Sequence, residues 1–158
     1  MEIHRAYKSG FLLVLICLVC SLLISCDLGE KQKLGNVSSM KVLDEYADVE
    51  IEIVDGTLTP SGVTVFVKGN EEGDILYGEE FYVEKLVNEK WYEVAPKEDG
   101  LEKWYYLIGY DLNTEHTYDW EWYYGVLSKG TYRLILGFSG PGTGENNGFY
   151  LDVKFVIN

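Results

Sequence analysis

The chain is expected to be all-β, an antiparallel sandwich of about seven to eight strands. Three observations predict this. After residue 48, apolar side chains recur at every second position over most of the chain, which is the strand period. The composition holds 13 Tyr, 4 Trp and 17 Gly, and aromatic and glycine richness together favour strands and tight turns. Turn chemistry separates the alternating runs at short intervals, and no stretch sustains a helical period.

The first element lies outside the sandwich. His4, Arg5 and Lys8 make a positive start, followed by an almost unbroken apolar run over residues 11–24. That run has roughly 14 residues, short of the about 20 needed to cross a bilayer, so residues 1–25 read as a secretory signal. The run ends in Leu23-Ile24-Ser25-Cys26, with an aliphatic residue three places before the cysteine and a small residue just before it. This resembles the lipobox of bacterial lipoproteins. The resemblance implies cleavage between Ser25 and Cys26 and a thioether-linked diacylglycerol on Cys26, with acyl chains such as palmitate. Two acyl chains anchor stably where one does not. The expected location is therefore the extracytoplasmic face of the cell membrane. Cys17 and Cys20 leave with the signal. The remaining body then has no disulfide or free thiol and relies on its core. The C-x-x-C spacing of that pair, inside an apolar run, reads as small hydrophobes and not as metal ligands.

Residues 26–47 are expected to form the lipidated N-terminus and a flexible tether. Residues 27–40 are polar and include Gly29, Gly35, Asn36, Ser38 and Ser39, with no apolar periodicity. Residues 42–47 carry a weak pattern for one helical turn.

Residues 48–158 form the domain. Val49, Ile51 and Ile53 alternate with Glu50 and Glu52, and Val63, Val65 and Val67 alternate with Thr64, Phe66 and Lys68. Asp55-Gly56 and Thr59-Pro60-Ser61-Gly62 are turn sequences between them. A hairpin follows: Phe81, Val83 and Val87, a three-residue connection Asn88-Glu89-Lys90, then Trp91, Tyr92 and Val94. Trp104, Tyr106, Ile108 and Tyr110 share a face of the next strand, and His116, Tyr118 and Trp120 continue after an Asn113-Thr114 turn. Residues 121–127 break the alternation as a helical turn. Tyr132, Leu134, Leu136 and Phe138, then Phe149, Leu151, Val153, Phe155 and Ile157, mark two long closing strands. Between them, residues 140–148 are too glycine-rich for either element.

Leu127-Ser128-Lys129-Gly130-Thr131-Tyr132 puts a tyrosine at the start of a late strand. This makes Tyr132 the candidate for a tyrosine corner, whose hydroxyl returns to the backbone upstream. The runs Tyr77-Gly78-Glu79-Glu80-Phe81-Tyr82-Val83-Glu84-Lys85-Leu86, Lys90-Trp91-Tyr92-Glu93-Val94 and Asp119-Trp120-Glu121-Trp122-Tyr123-Tyr124-Gly125 resemble the bacterial Ig-like domain found in lipoproteins of low-GC Gram-positive bacteria. The resemblance implies an immunoglobulin-like sandwich at a cell surface and brings no catalytic residues with it.

Chemistry is sparse. The net charge of −13 repels phosphate backbones and anionic lipid heads, so nucleic acid is not an expected partner. His116 is the single histidine after residue 4, which leaves no histidine-based catalytic set beyond one strand residue. HExxH, Walker-type and GxSxG motifs are absent from the sequence. The loop 140–148 lacks the lysine and following helix of a phosphate cradle. Asn70, Glu71, Glu72 and Asp74 group oxygens without EF-hand spacing and read as a solvated acidic turn. No catalytic residue, metal or cofactor beyond the lipid is expected. Strand alternation turns some aromatic rings outward, and exposed Trp and Tyr anchor partners. Trp104, Tyr105, Trp122 and Tyr123 are the candidate contacts. The expected function is a non-enzymatic interaction or accessory envelope module with a protein partner; the alternative is a carbohydrate- or peptidoglycan-binding module.

Overall fold

The computed structural model describes residues 32–46, 49–70, 75–97, 109–139 and 148–158. They lie in one compact unit, Gln32–Asn158. Ser25, Cys26, Trp104, Tyr105, the acidic residues of 71–74 and the loop 140–147 fall outside the described residues.

Nine strands are described: β1 (Leu34–Val37), β2 (Glu50–Ile53), β3 (Gly62–Lys68), β4 (Leu76–Val87), β5 (Lys90–Val94), β6 (Gly109–Asp111), β7 (Thr114–Asp119), β8 (Gly130–Ser139) and β9 (Phe149–Ile157). One short helix, α1 (Glu121–Tyr124), follows β7. The strands form two antiparallel sheets, β2-β3-β7 and β1-β5-β4-β8-β9, with β6 also paired to β4. This is the immunoglobulin-like sandwich expected. Among the described residues no helix is long and apolar enough to cross a membrane.

The core follows from the alternation. Val63, Val65 and Val67 of β3 are buried, whereas Thr64 and Phe66 between them are only partly so. They join Tyr118, Trp120, Tyr132, Leu134, Leu136 and Phe138 in one buried cluster. Trp120 stacks on Phe155 at 5.3 Å between ring centroids, and its indole N–H donates to the Pro60 carbonyl at 2.8 Å. The indole thus fills the interior with its one polar atom satisfied.

The hairpin β4–β5 differs from expectation. Val87 and Lys90 are cross-strand partners, so the connection has two residues, Asn88 and Glu89, at φ 48° and 62°. Positive φ at both central positions is the twist-matched turn of two-residue hairpins. Lys90 therefore belongs to the strand.

The larger departure is at the N-terminal side. Where polar composition predicts a tether, Leu34 and Val37 pair with Val94 and Tyr92, making β1 an edge strand beside β5. The chain then leaves the edge. The Ser38 amide donates to the Trp91 carbonyl of β5, and the Leu43 amide donates to the Tyr150 carbonyl of β9, both at 2.9 Å. No helical turn forms where residues 42–46 are described: Val42 bridges Tyr150, Tyr46 bridges Val49, and the Tyr46 ring stacks on Phe149 at 3.8 Å. Between these two anchors Met40 lines a cavity together with Tyr82 and Glu84 of β4, Glu93 of β5 and Tyr150 of β9, so residues 38–43 form a strap across the outer face of the six-stranded sheet. Its order comes from backbone hydrogen bonds, which polar residues make as well as apolar ones. Composition therefore carried no signal of it.

Candidate functional site

The aromatic residues divide sharply by exposure. Tyr118, Trp120 and Tyr124 are buried, while Trp122 is 41% exposed and Val126 57%. Tyr123 is half-buried, its ring edge-on to Phe81 at 6.0 Å and perpendicular to Trp122 at 4.8 Å. The split follows from local geometry. Tyr118 and Trp120 keep the strand phase inward, and α1 then interrupts it and turns Trp122 out. The knuckle is firmly held. The Trp120 and Glu121 amides both donate to the Ser61 carbonyl, the Leu127 amide donates to Pro60, and the Lys97 amide donates to Tyr123. Gly125 closes the turn at φ 78°, a conformation that costs glycine little.

Tyr132 is fully buried. Its hydroxyl donates to the Ser128 carbonyl at 2.7 Å, the upstream backbone contact that defines a tyrosine corner. The Lys85 ammonium lies 5.1 Å from its ring centroid and donates to the Ser128 hydroxyl and the Lys129 carbonyl. These contacts fix the start of β8.

His116 sits between the rings of Tyr110 and Tyr118, 4.1 and 4.7 Å from its own. Burial lowers its pKa, with the Glu79 carboxylate opposing. Beside it the Tyr110 hydroxyl donates to Glu79 at 2.8 Å, and burial with that contact pushes the phenol up to about 12. This is a packing histidine in an aromatic wall. Among the described residues no group of three or more His, Cys, Asp or Glu is arranged to hold a metal.

The feature that periodicity missed lies on the outer face, under the strap. Arg133 of β8 is buried. Its Nε and a terminal nitrogen reach Glu84 Oε2 at 2.8 and 2.6 Å, and its other terminal nitrogen reaches Asp152 Oδ2 at 3.0 Å. The guanidinium also lies over the Trp91 ring, 4.7 Å from the centroid. Glu84 is 1% exposed, and its Oε1 has no hydrogen-bond partner among the described residues. Beside this cluster is a cavity of about 520 Å³. Its wall includes Met40 of the strap, Tyr82 and Glu84 of β4, Glu93 of β5, Tyr124 of α1 and Tyr150 of β9. Burial raises the Tyr82 and Tyr124 phenols, Tyr82 being raised further by the nearby Glu80 carboxylate. Both therefore stay neutral near pH 7. A signal for this cluster did exist: Arg133 is the only arginine after residue 5, and it interrupts the apolar run Tyr132-Arg133-Leu134-Ile135-Leu136. A lone charge there calls for buried partners.

Comparison with known proteins gives one result. A family model described as a bacterial Ig-like domain matches residues 45–152. No curated protein and no solved structure gives a significant match.

Proposed function

Because the chain belongs to the bacterial Ig-like domain family, we propose that it is a non-enzymatic binding module of the cell envelope, held at the extracytoplasmic face of the membrane by lipid on Cys26. The setting its sequence resemblance implies is the surface of a low-GC Gram-positive bacterium. The observation that carries the binding role is the α1 knuckle. Trp122 stands exposed beside Val126 on a backbone tied to the 60–61 turn. A rigid, outward aromatic loses little conformational freedom when a partner covers it, and such residues dominate interface energetics. The anchor rests on the Leu23-Ile24-Ser25-Cys26 sequence.

Two experiments test the proposal. In the first, envelope proteins are cross-linked to the full chain in cells and compared with Trp122→Ala. A specific adduct should be lost on the order of tenfold, as for a hot-spot residue; an unchanged adduct refutes the knuckle as the contact. If peptidoglycan fragments instead quench tryptophan fluorescence and Trp122→Ala abolishes the response, the glycan-binding reading replaces the protein-binding one. In the second, Cys26→Ser should release the chain or leave an unprocessed precursor. A processed chain still retained by the membrane would refute the anchor.

A further inference from the structure

The cavity under the strap shares only Tyr124 with the α1 knuckle, and its wall sets two carboxylates among apolar and aromatic side chains. Glu84 and Glu93 line it. Arg133 engages Glu84 through Oε2 alone and also serves Asp152, so one guanidinium answers two carboxylates. No lysine or arginine is among the described lining residues. Tyr82, Tyr124 and Tyr150 supply ring surface to the same space. We infer that this cavity receives the guanidinium or ammonium head of a basic side chain presented by a protein partner.

Three arguments lead there. Glu84 and Glu93 both stand in the wall, while the one guanidinium beside them is shared between Glu84 and Asp152, so the wall carries an excess of negative charge that a cationic head offsets. Tyrosine faces attract cations electrostatically, and the apolar stem of Lys or Arg packs on the same rings. The volume falls within the range of sites that enclose a small ligand and has room for one long side chain. An anionic ligand would meet two carboxylates, and a neutral one would leave their excess charge unanswered. Met40, an unbranched thioether with freely rotating bonds, is the part of the wall able to give way.

The inference rests on reading the domain as a protein-binding module, but its test is separate from that of the knuckle. The full chain would be titrated by calorimetry with N-acetyl-arginine methylamide, and in parallel with the neutral norleucine analogue. The arginine probe should bind saturably, on the order of tenfold tighter than norleucine. Met40→Trp, which fills the cavity without changing charge, and Glu93→Gln, at an exposed wall position, should each weaken the arginine probe several-fold. Glu50→Gln on β2 should leave it unchanged and serves as the control for general attraction to an acidic protein. Equal binding of norleucine overturns the inference, as does arginine binding indifferent to Met40→Trp, or arginine binding weakened equally by Glu50→Gln. In any of these cases loss of the cross-linked adduct in Trp122→Ala would still support the binding module, so the two readings fail independently.

Discussion

Replacing Arg133 by Met should destabilise the domain by about 3–5 kcal/mol, the usual cost of breaking a buried pair by removing one partner. The size follows from what stays behind. Glu84 is 1% exposed and would be left buried with no cation in reach among its described contacts, and Asp152, at 16% side-chain exposure, would lose its bond to the same guanidinium. An exposed ion pair would cost only about 0–1 kcal/mol. Unfolding entropy scales at about 2.1 cal/mol/K per residue, so a folded unit of roughly 125 residues loses about 4 °C in Tm for each kcal/mol. The expected drop is therefore about 11–19 °C, read by differential scanning calorimetry with urea unfolding as a second measure. The triple variant Glu84→Leu, Arg133→Met, Asp152→Leu should recover most of the loss, because apolar replacement of a whole buried ionic group is often neutral or stabilising. A single variant losing less than about 1 kcal/mol, or a triple variant no more stable than the single, would refute the assignment of a desolvated, mutually dependent cluster.

Other outcomes follow from the same geometry. Tyr132→Phe keeps the ring stack on Phe155 but removes the bond to Ser128, and should cost about 1–2 kcal/mol by urea unfolding. Glu89→Gly should stabilise by a few tenths to about 1 kcal/mol: it relieves a non-glycine residue at φ 62°, less the greater chain entropy glycine adds to the unfolded state. The His116 pKa is lowered in the fold from 6.5, so above that value both states are neutral and its contribution is fully present. As pH falls below it the unfolded chain takes the proton first and stability declines; His116→Gln should flatten urea-midpoint curves across that window. The Tyr110 phenol is raised from 10.0 to about 12. Its contribution is thus intact below pH 10 and lost as pH rises towards 12, so phenolate absorbance should appear together with unfolding, and less steeply in Tyr110→Phe.

What the sequence made legible is what one-dimensional periodicity encodes. Val63, Val65 and Val67 announce a half-buried strand, and Gly130-Thr131-Tyr132 marks the start of β8 because a corner is local in sequence. The aromatic cluster was legible only in part. Tyr118 and Trp120 stay inward by alternation, but only the position of α1 decides that Trp122 turns out. The cavity was not legible at all. Its wall draws on Met40, Glu84, Glu93, Tyr124 and Tyr150, which no spacing rule connects. The strap was hidden for a different reason: its backbone partners are on β5 and β9, so its own polar side chains say nothing about them.

The strap and the buried charges share one face of the sheet. In a two-sheet sandwich with solvent on both outer faces, residues 133 and 135 of β8 would point to water. Here Arg133 is 8% and Ile135 0% exposed, and Arg133 is enclosed by Glu84, Asp152 and the Trp91 ring. An arginine enclosed there needs carboxylates on both flanking strands, and it finds Glu84 on β4 and Asp152 on β9. Such a group adds little net stability over an apolar substitute. What it supplies is register, because a slip of one residue between β4, β8 and β9 turns every side chain to the opposite face and leaves a charge alone in the core. Glu84 also belongs to the wall of the neighbouring cavity, so a residue that aligns the strands also contributes to the cavity's preference for a cation.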